Sequence, residues 1–118
     1  MNKLLHTPLT VHNVELANRL VMPPMATGKT PDGTVQDDLL AYYDARSKGG
    51  CIGLIVTEHA YISPEGKAHE GQLSVSRDTD IPGLTKLVET IHKNNTRVIA
   101  QINHAGSAAM EEITGYPA

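Results

Sequence analysis

Three apolar runs of strand length alternate with two stretches of helical period, and this order narrows the possible folds more than any other feature. The runs fall at 19–23, 52–57 and 97–102, around Leu20-Val21-Met22, Leu54-Ile55-Val56 and Val98-Ile99. The middle run is continuously apolar, the pattern of a parallel strand buried on both faces. A helix is expected near 36–48, with Leu39, Leu40 and Tyr43 on its inner side and Thr34 with Asp37 as a capping box. Gly49-Gly50 supplies its stop. A second helix is expected near 80–95, where Pro82 sits at the start and Leu84, Leu87, Val88 and Ile91 follow at helical spacing. Strands alternating with single helices predict right-handed βαβ units and a parallel sheet, hence an α/β fold. The three strands should be adjacent in chain order, with both helices on one face.

Ahead of these units, residues 9–17 alternate apolar and polar around His12-Asn13, which predicts a small β-hairpin. Pro23-Pro24 must end the first parallel strand, because proline cannot donate to a ladder. Residues 58–79 are polar and without period, and a loop of that length inside a folded domain is usually functional. Arg19, at the entry of a strand, is expected in an ion pair. Cys51 enters an apolar run and is expected to be an inert core thiol.

The composition excludes several classes. The chain has 118 residues, 40% hydrophobic and 19% charged, which is the balance of a globular protein. A formal net charge of −3, with no basic block, argues against nucleic acid as a partner. No apolar run reaches membrane-spanning length, and the N-terminus lacks the apolar stretch of a signal peptide. One cysteine allows no disulfide framework or zinc cluster, and the six histidines show no metal-ligand spacing. A cytoplasmic protein without a metal site is expected.

Chemistry is most legible at the end of the third run, where Gln101, Asn103 and His104 precede Gly106. In parallel α/β folds ligands bind at the C-terminal ends of the strands. An amide there can both donate to and accept from a planar heterocycle. The competing reading is a glutamine that only satisfies loop backbone. Gly28-Lys29-Thr30 is similar to the end of a phosphate-binding P-loop, but position 23 is Pro where that motif needs Gly. No G-x-G-x-x-G follows a strand, so a separate dinucleotide-binding domain is not expected.

Four segments carry a family resemblance: Asn18-Arg19-Leu20-Val21-Met22-Pro23-Pro24-Met25, Gly53-Leu54-Ile55-Val56-Thr57-Glu58, Gln72-Leu73-Ser74-Val75-Ser76-Arg77-Asp78 and Gln101-Ile102-Asn103-His104-Ala105-Gly106. In this order and spacing the chain resembles the old yellow enzyme family of NADH:flavin oxidoreductases. Within it, the sequence is most similar to the bacterial branch of 2-enoate and 2,4-dienoyl-CoA reductases. The resemblance implies an FMN-dependent (β/α)8 TIM barrel. Residues 1–118 would be an N-terminal fragment of that single domain, comprising the hairpin, the first three parallel strands and two helices. It implies hydride transfer from NADH or NADPH through the flavin to an electron-poor alkene. The family's phosphate loops, substrate anchors, flavin-contacting Arg and Tyr proton donor belong to later strands, so no catalytic residue is expected up to Ala118.

The resemblance implies cofactor contacts from Pro24, Met25, Ala26, Glu58, His59 and Gln101, with Thr27 and His104 in support or near substrate. Flavin chemistry asks for amide partners on the pyrimidine edge and N–H or hydroxyl groups beside N5. Gln101 suits the first demand, and the backbone after Pro24 suits the second. Ala26 stands where many relatives carry Thr or Cys, which leaves any side-chain tuning to Thr27. Against these roles stand plain core packing for Met25, a structural carboxylate paired with an Arg for Glu58, and capping for His104. The alternative function is a non-catalytic partial barrel whose open sheet edges require a separate downstream polypeptide or a second copy of the chain.

Overall fold

The structure, a computed structural model, describes residues 3–117. Strands β1 (Leu9–Val11) and β2 (Val14–Leu16) pair antiparallel around a turn in which His12 takes a positive φ of 50°. This is the expected hairpin. The main sheet contains β3 (Val21–Met22), β4 (Leu54–Tyr61), β5 (Leu73–Ser74) and β6 (Arg97–Asn103). β4 is central. β3 pairs with it at Leu54 and Ile55, β5 at Ala60 and Tyr61, and β6 spans its other edge, all in parallel. The expected strand order, β3–β4–β6, is therefore observed. β5 is an addition, a two-residue strand inside the segment read as loop, on the same flank of β4 as β3.

Helices α1 (Asp37–Ser47) and α2 (Ile81–His92) pack on one face of the sheet. The core between layers consists of Leu39 and Tyr43 from α1, Ile55 and Ala60 from β4, Leu73, and Leu87 and Ile91 from α2. The helix ends differ in their chemistry. α1 stops where Gly49 adopts φ 86°, as the Gly-Gly pair predicted. Its start is a correction, because Gln36 and not Thr34 occupies the cap position and no side chain caps it. The Thr34 hydroxyl is spent on Asp32 Oδ1 at 2.6 Å, while Asp37 and Asp38 place negative charge at the helix N-terminus.

Two further expectations are corrected. Cys51 is exposed, because the strand begins only at Leu54 and residue 51 still belongs to the turn after Gly49-Gly50. Arg19 forms no ion pair among the described residues; its Nε donates to Thr7 Oγ1 at 3.1 Å. β6 is the outer strand. Among the described residues it pairs with β4 alone, so its other edge is uncovered, and its Ile99 and Ile102 are 53% and 68% exposed. No helix among the described residues is long and apolar enough to cross a membrane.

Candidate functional site

The C-terminal ends of β3, β4 and β6 meet at one end of the sheet. β3 gives way to Pro23-Pro24, and the loop that follows crosses to β4. Its anchor is Thr27, whose hydroxyl contacts both carboxylate oxygens of Glu58, at 2.9 and 3.1 Å. The Lys29 N–H donates back to Thr27 Oγ1 at 3.2 Å. Further along, Thr30 donates to the Gly71 carbonyl at 2.7 Å and ties the loop to the segment before β5. Pro24 is half-buried, and Ala26 is exposed. Met25 is 56% exposed, which rules out the core-packing role for it.

A β-bulge decides what the end of β4 presents. Val56 pairs with Ile99 and His59 with Gln101, so Thr57 and Glu58 together oppose the single residue Ala100. Ile55 faces the helices, and strict alternation from it would carry Thr57 and then His59 to that same face. The extra residue inverts this. Glu58 turns to the helix layer, where Tyr43 of α1 accepts its N–H at 2.8 Å. Ala60 follows it into the core, and His59 shares the opposite face with Gln101.

Glu58 is buried and partnered by the Thr27 and Tyr43 hydroxyls, the latter at 3.5 Å. Its carboxylate is held by hydroxyls, with no Arg partner among the described residues. Burial raises its pKa above the ordinary 4.5, with the Thr27 hydrogen bonds pulling the other way. The Tyr43 phenol is raised as well, chiefly by its own burial. The folded state therefore holds the Glu58 proton more tightly than the unfolded chain. The stability that this group contributes is fully present below pH 4.5 and is lost as pH rises through the raised folded value. Glu58→Gln is expected to remove this loss. Denaturation of both proteins from pH 4 to 7 should show wild type falling relative to the variant as pH rises; a constant difference would contradict it.

On the other face, Gln101 is exposed and its side chain makes no hydrogen bond among the described residues. Beside it, His59 Nε2 lies 3.0 Å from His69 Nε2. His69 comes from the long loop after β4, and its Nδ1 is 2.7 Å from the Glu70 carbonyl. Burial lowers the pKa of His59, and the neighbouring His69 lowers it further. Gln72 braces this end from within. It is fully buried, its Oε1 accepts from Ala68 N–H at 2.7 Å, and its amide donates to Asn103 Oδ1 at 3.3 Å. His104 stands apart from Gln101. Its ring lies against Gly66, and its Nδ1 accepts from the Gly106 N–H at 3.0 Å, a capping contact.

Sequence reasoning misses His69 and Asp80, and it assigns no partner to Tyr43, Gln72, Ser74 or Arg77, although Tyr43 falls on the inner side of the helix and the other three lie in the 72–78 motif. Buried Asp80 accepts from Ser74 Oγ at 2.6 Å and pairs with Arg77 at 2.8 Å, fastening the segment after β5 to the start of α2. The unusual length of the 58–79 loop and the motif at 72–78 are the signals that this region has work to do. A cavity of about 650 Å³ lies at the opposite end of the sheet, between the hairpin and Leu54, Arg97 and Ile99. Its walls are mainly apolar, with His12, Asn13, His92 and Arg97 among them.

Known proteins share this arrangement. Residues 4–116 match the model of the NADH:flavin oxidoreductase / NADH oxidase family. A metal reductase of Desulforamulus reducens is 36% identical over 98% of this chain, which spans 17% of that protein. An NADH:acrylate oxidoreductase of Vibrio harveyi is 41% identical over 86% of the chain, corresponding to 10% of its own length. The crystal structure of an old yellow enzyme from a Pichia species superposes with a TM-score of 0.88 at 29% identity, covering 98% of this chain and 31% of that one. The chain thus spans a minor part of each relative. From the mouth of the parallel sheet to the sequence motifs that build it, the chain belongs to the NADH:flavin oxidoreductase / NADH oxidase family, whose cofactor is FMN and whose reductant is NAD(P)H.

Proposed function

We propose that this chain forms the opening strands of an FMN-binding (β/α)8 barrel and supplies one wall of its flavin site. The observation that carries the reading is the free Gln101 amide, unpartnered on the ligand face of β6 and one strand from His59. A flavin fits this donor set. The pyrimidine edge alternates donors and acceptors, and a primary amide offers both. Ala26 carries only a methyl group, so the backbone N–H groups after Pro24 can approach a ring closely. His59 lies beside Gln101 on the same face, while Glu58 supports the site from behind through Thr27.

When bound, FMN supplies hydride transfer between NAD(P)H and an electron-poor alkene. The chain's own residues bind and orient the ring. Gln101 would hold one edge, the 24–26 backbone would approach another, and Met25 would lend an apolar surface. The relative named for acrylate supports an alkene as substrate. The exposed edge of β6 supports a barrel completed by further strands, since Ile99 and Ile102 would otherwise face water. The absence of a membrane-crossing helix among the described residues and the presence of one cysteine support a cytoplasmic setting.

The test is to combine the chain with a polypeptide carrying the remaining strand–helix units and to measure retained flavin. Gln101→Leu should weaken FMN binding about tenfold, because it leaves ring polar atoms unpaired at roughly 1–3 kcal/mol. NADH oxidation with acrylate should fall with it. Unchanged FMN affinity in Gln101→Leu would remove the amide from the site.

A further inference from the structure

We propose that His59 and His69 form a one-proton acid–base unit whose free nitrogen, His59 Nδ1, exchanges a proton with the small molecule held at Gln101. The proposal rests on the ligand-site reading above, but its first step stands on geometry alone. The two Nε2 atoms are 3.0 Å apart, and the ring centroids are 5.1 Å apart. The centroid separation exceeds the nitrogen separation by nearly the span of one ring, so the nitrogens meet almost head-on. That is the geometry of an N–H···N bond. Two imidazoles converging side by side on a common ion would bring their rings closer together.

The tautomers follow from the partners. A carbonyl only accepts, so the 2.7 Å contact with Glu70 O fixes the neutral His69 proton on Nδ1. His69 Nε2 is then a lone pair, and His59 Nε2 must be the donor. This leaves His59 Nδ1 unprotonated, with no partner among the described residues, on the residue that lies opposite Gln101. A proton taken from water at Nδ1 makes an imidazolium whose Nε2–H still donates to His69. Releasing the Nδ1 proton to a ligand breaks that N–H bond, returns the pair of electrons to Nδ1 and restores the neutral pair. Two protons cannot enter together, because each would set a second positive charge 3.0 Å from the first.

The surroundings permit this exchange. From β4, the acidic group near the pair is buried Glu58, on whose carboxyl His69 acts only as the smallest influence. In the loop, Lys67 and Glu70 neutralise each other at 3.0 Å. β6 contributes Gln101 and Asn103, which carry no charge, and β5 is preceded by the neutral Gln72. A merely structural pair would brace the loop and leave Nδ1 silent.

The experiment is a titration of the chain with nitrogen-15 in its histidines, followed by NMR, alone and in complex with a polypeptide supplying the remaining strand–helix units. In the folded sample the signals of His59 and His69 should move together through uptake of one proton, with a second entering only at markedly lower pH. His69→Gln should leave His59 titrating by itself. Two independent titrations in wild type would overturn the shared proton. Millimolar FMN is then added as the probe. Joint shifts of His59 Nδ1 and the Gln101 amide are expected. If the amide moves and His59 does not, the acid–base role fails while the ligand site stands. If neither moves, the ligand site itself is lost and the proposal with it.

Discussion

Purified alone, the 118-residue chain is expected to bind FMN at least about a hundredfold more weakly than the completed barrel, and to show no alkene reduction. The groups proposed to face the ring are in the chain, namely Gln101, His59 and the backbone after Pro24. The phosphate is the most charged part of the cofactor, and in barrels of this kind its site forms from the loops after the seventh and eighth strands. The proposed barrel places the strands of this chain ahead of those loops. Charge-assisted hydrogen bonds are worth roughly 1.5–3 kcal/mol each, so the loss of two or more accounts for the hundredfold. Flavin fluorescence during a titration with the chain measures the first quantity. NADPH oxidation with a maleimide or enone measures the second. Sub-micromolar binding with turnover would show that the anchoring argument is wrong.

Gly53→Ala, one residue before β4, should cost the fold about 3 kcal/mol. A Cβ at position 53 would sit 2.4 Å from the backbone oxygen of Asn18, and no side-chain rotation relieves a clash with backbone. The same residue joins three segments. Its N–H donates to Leu20 O at 3.0 Å, and its carbonyl accepts from Arg97 N–H at 3.0 Å. Moving it apart from Asn18 therefore loosens β3 and β6 together. Gly49→Ala is the control. Its φ of 86° strains any side chain, but nothing lies within 4 Å, so the loss should be about 1–2 kcal/mol. Thermal denaturation of the two variants separates close approach from backbone conformation. Equal losses would mean that the Asn18 contact yields easily.

Both results bear on the same structural point, which is how the middle strand is fitted between its neighbours. The strand's existence is written locally. Leu54-Ile55-Val56 is apolar on both faces and is bounded by glycines before it and polar residues after it. Its parallel pairing follows from the helices on either side, whose periods are equally local. The hairpin around His12-Asn13 and the helix stop at Gly49 are likewise properties of a few adjacent residues. So is the motif from Gln101 to Gly106, which begins on the edge strand with Gln101 exposed.

The details that set the chemistry are of another kind. One extra residue at Thr57–Glu58 reverses the faces of Glu58 and His59, and that bulge exists because β4 must stay in register with β6, some forty positions away. No period within residues 52–61 carries the information. The same holds for His69, which reaches His59 only because Gln72 and Thr30 fold the long loop back over the strand ends. Cys51 illustrates the converse, since an apolar context suggested burial and the strand simply started three residues later. Local pattern thus determined which segments are strands, which are helices and that the sheet is parallel, because apolar period and turn chemistry act over a few residues. Tertiary pairing alone decided which side chains face the ligand end, because a strand's faces are assigned by its neighbours' register.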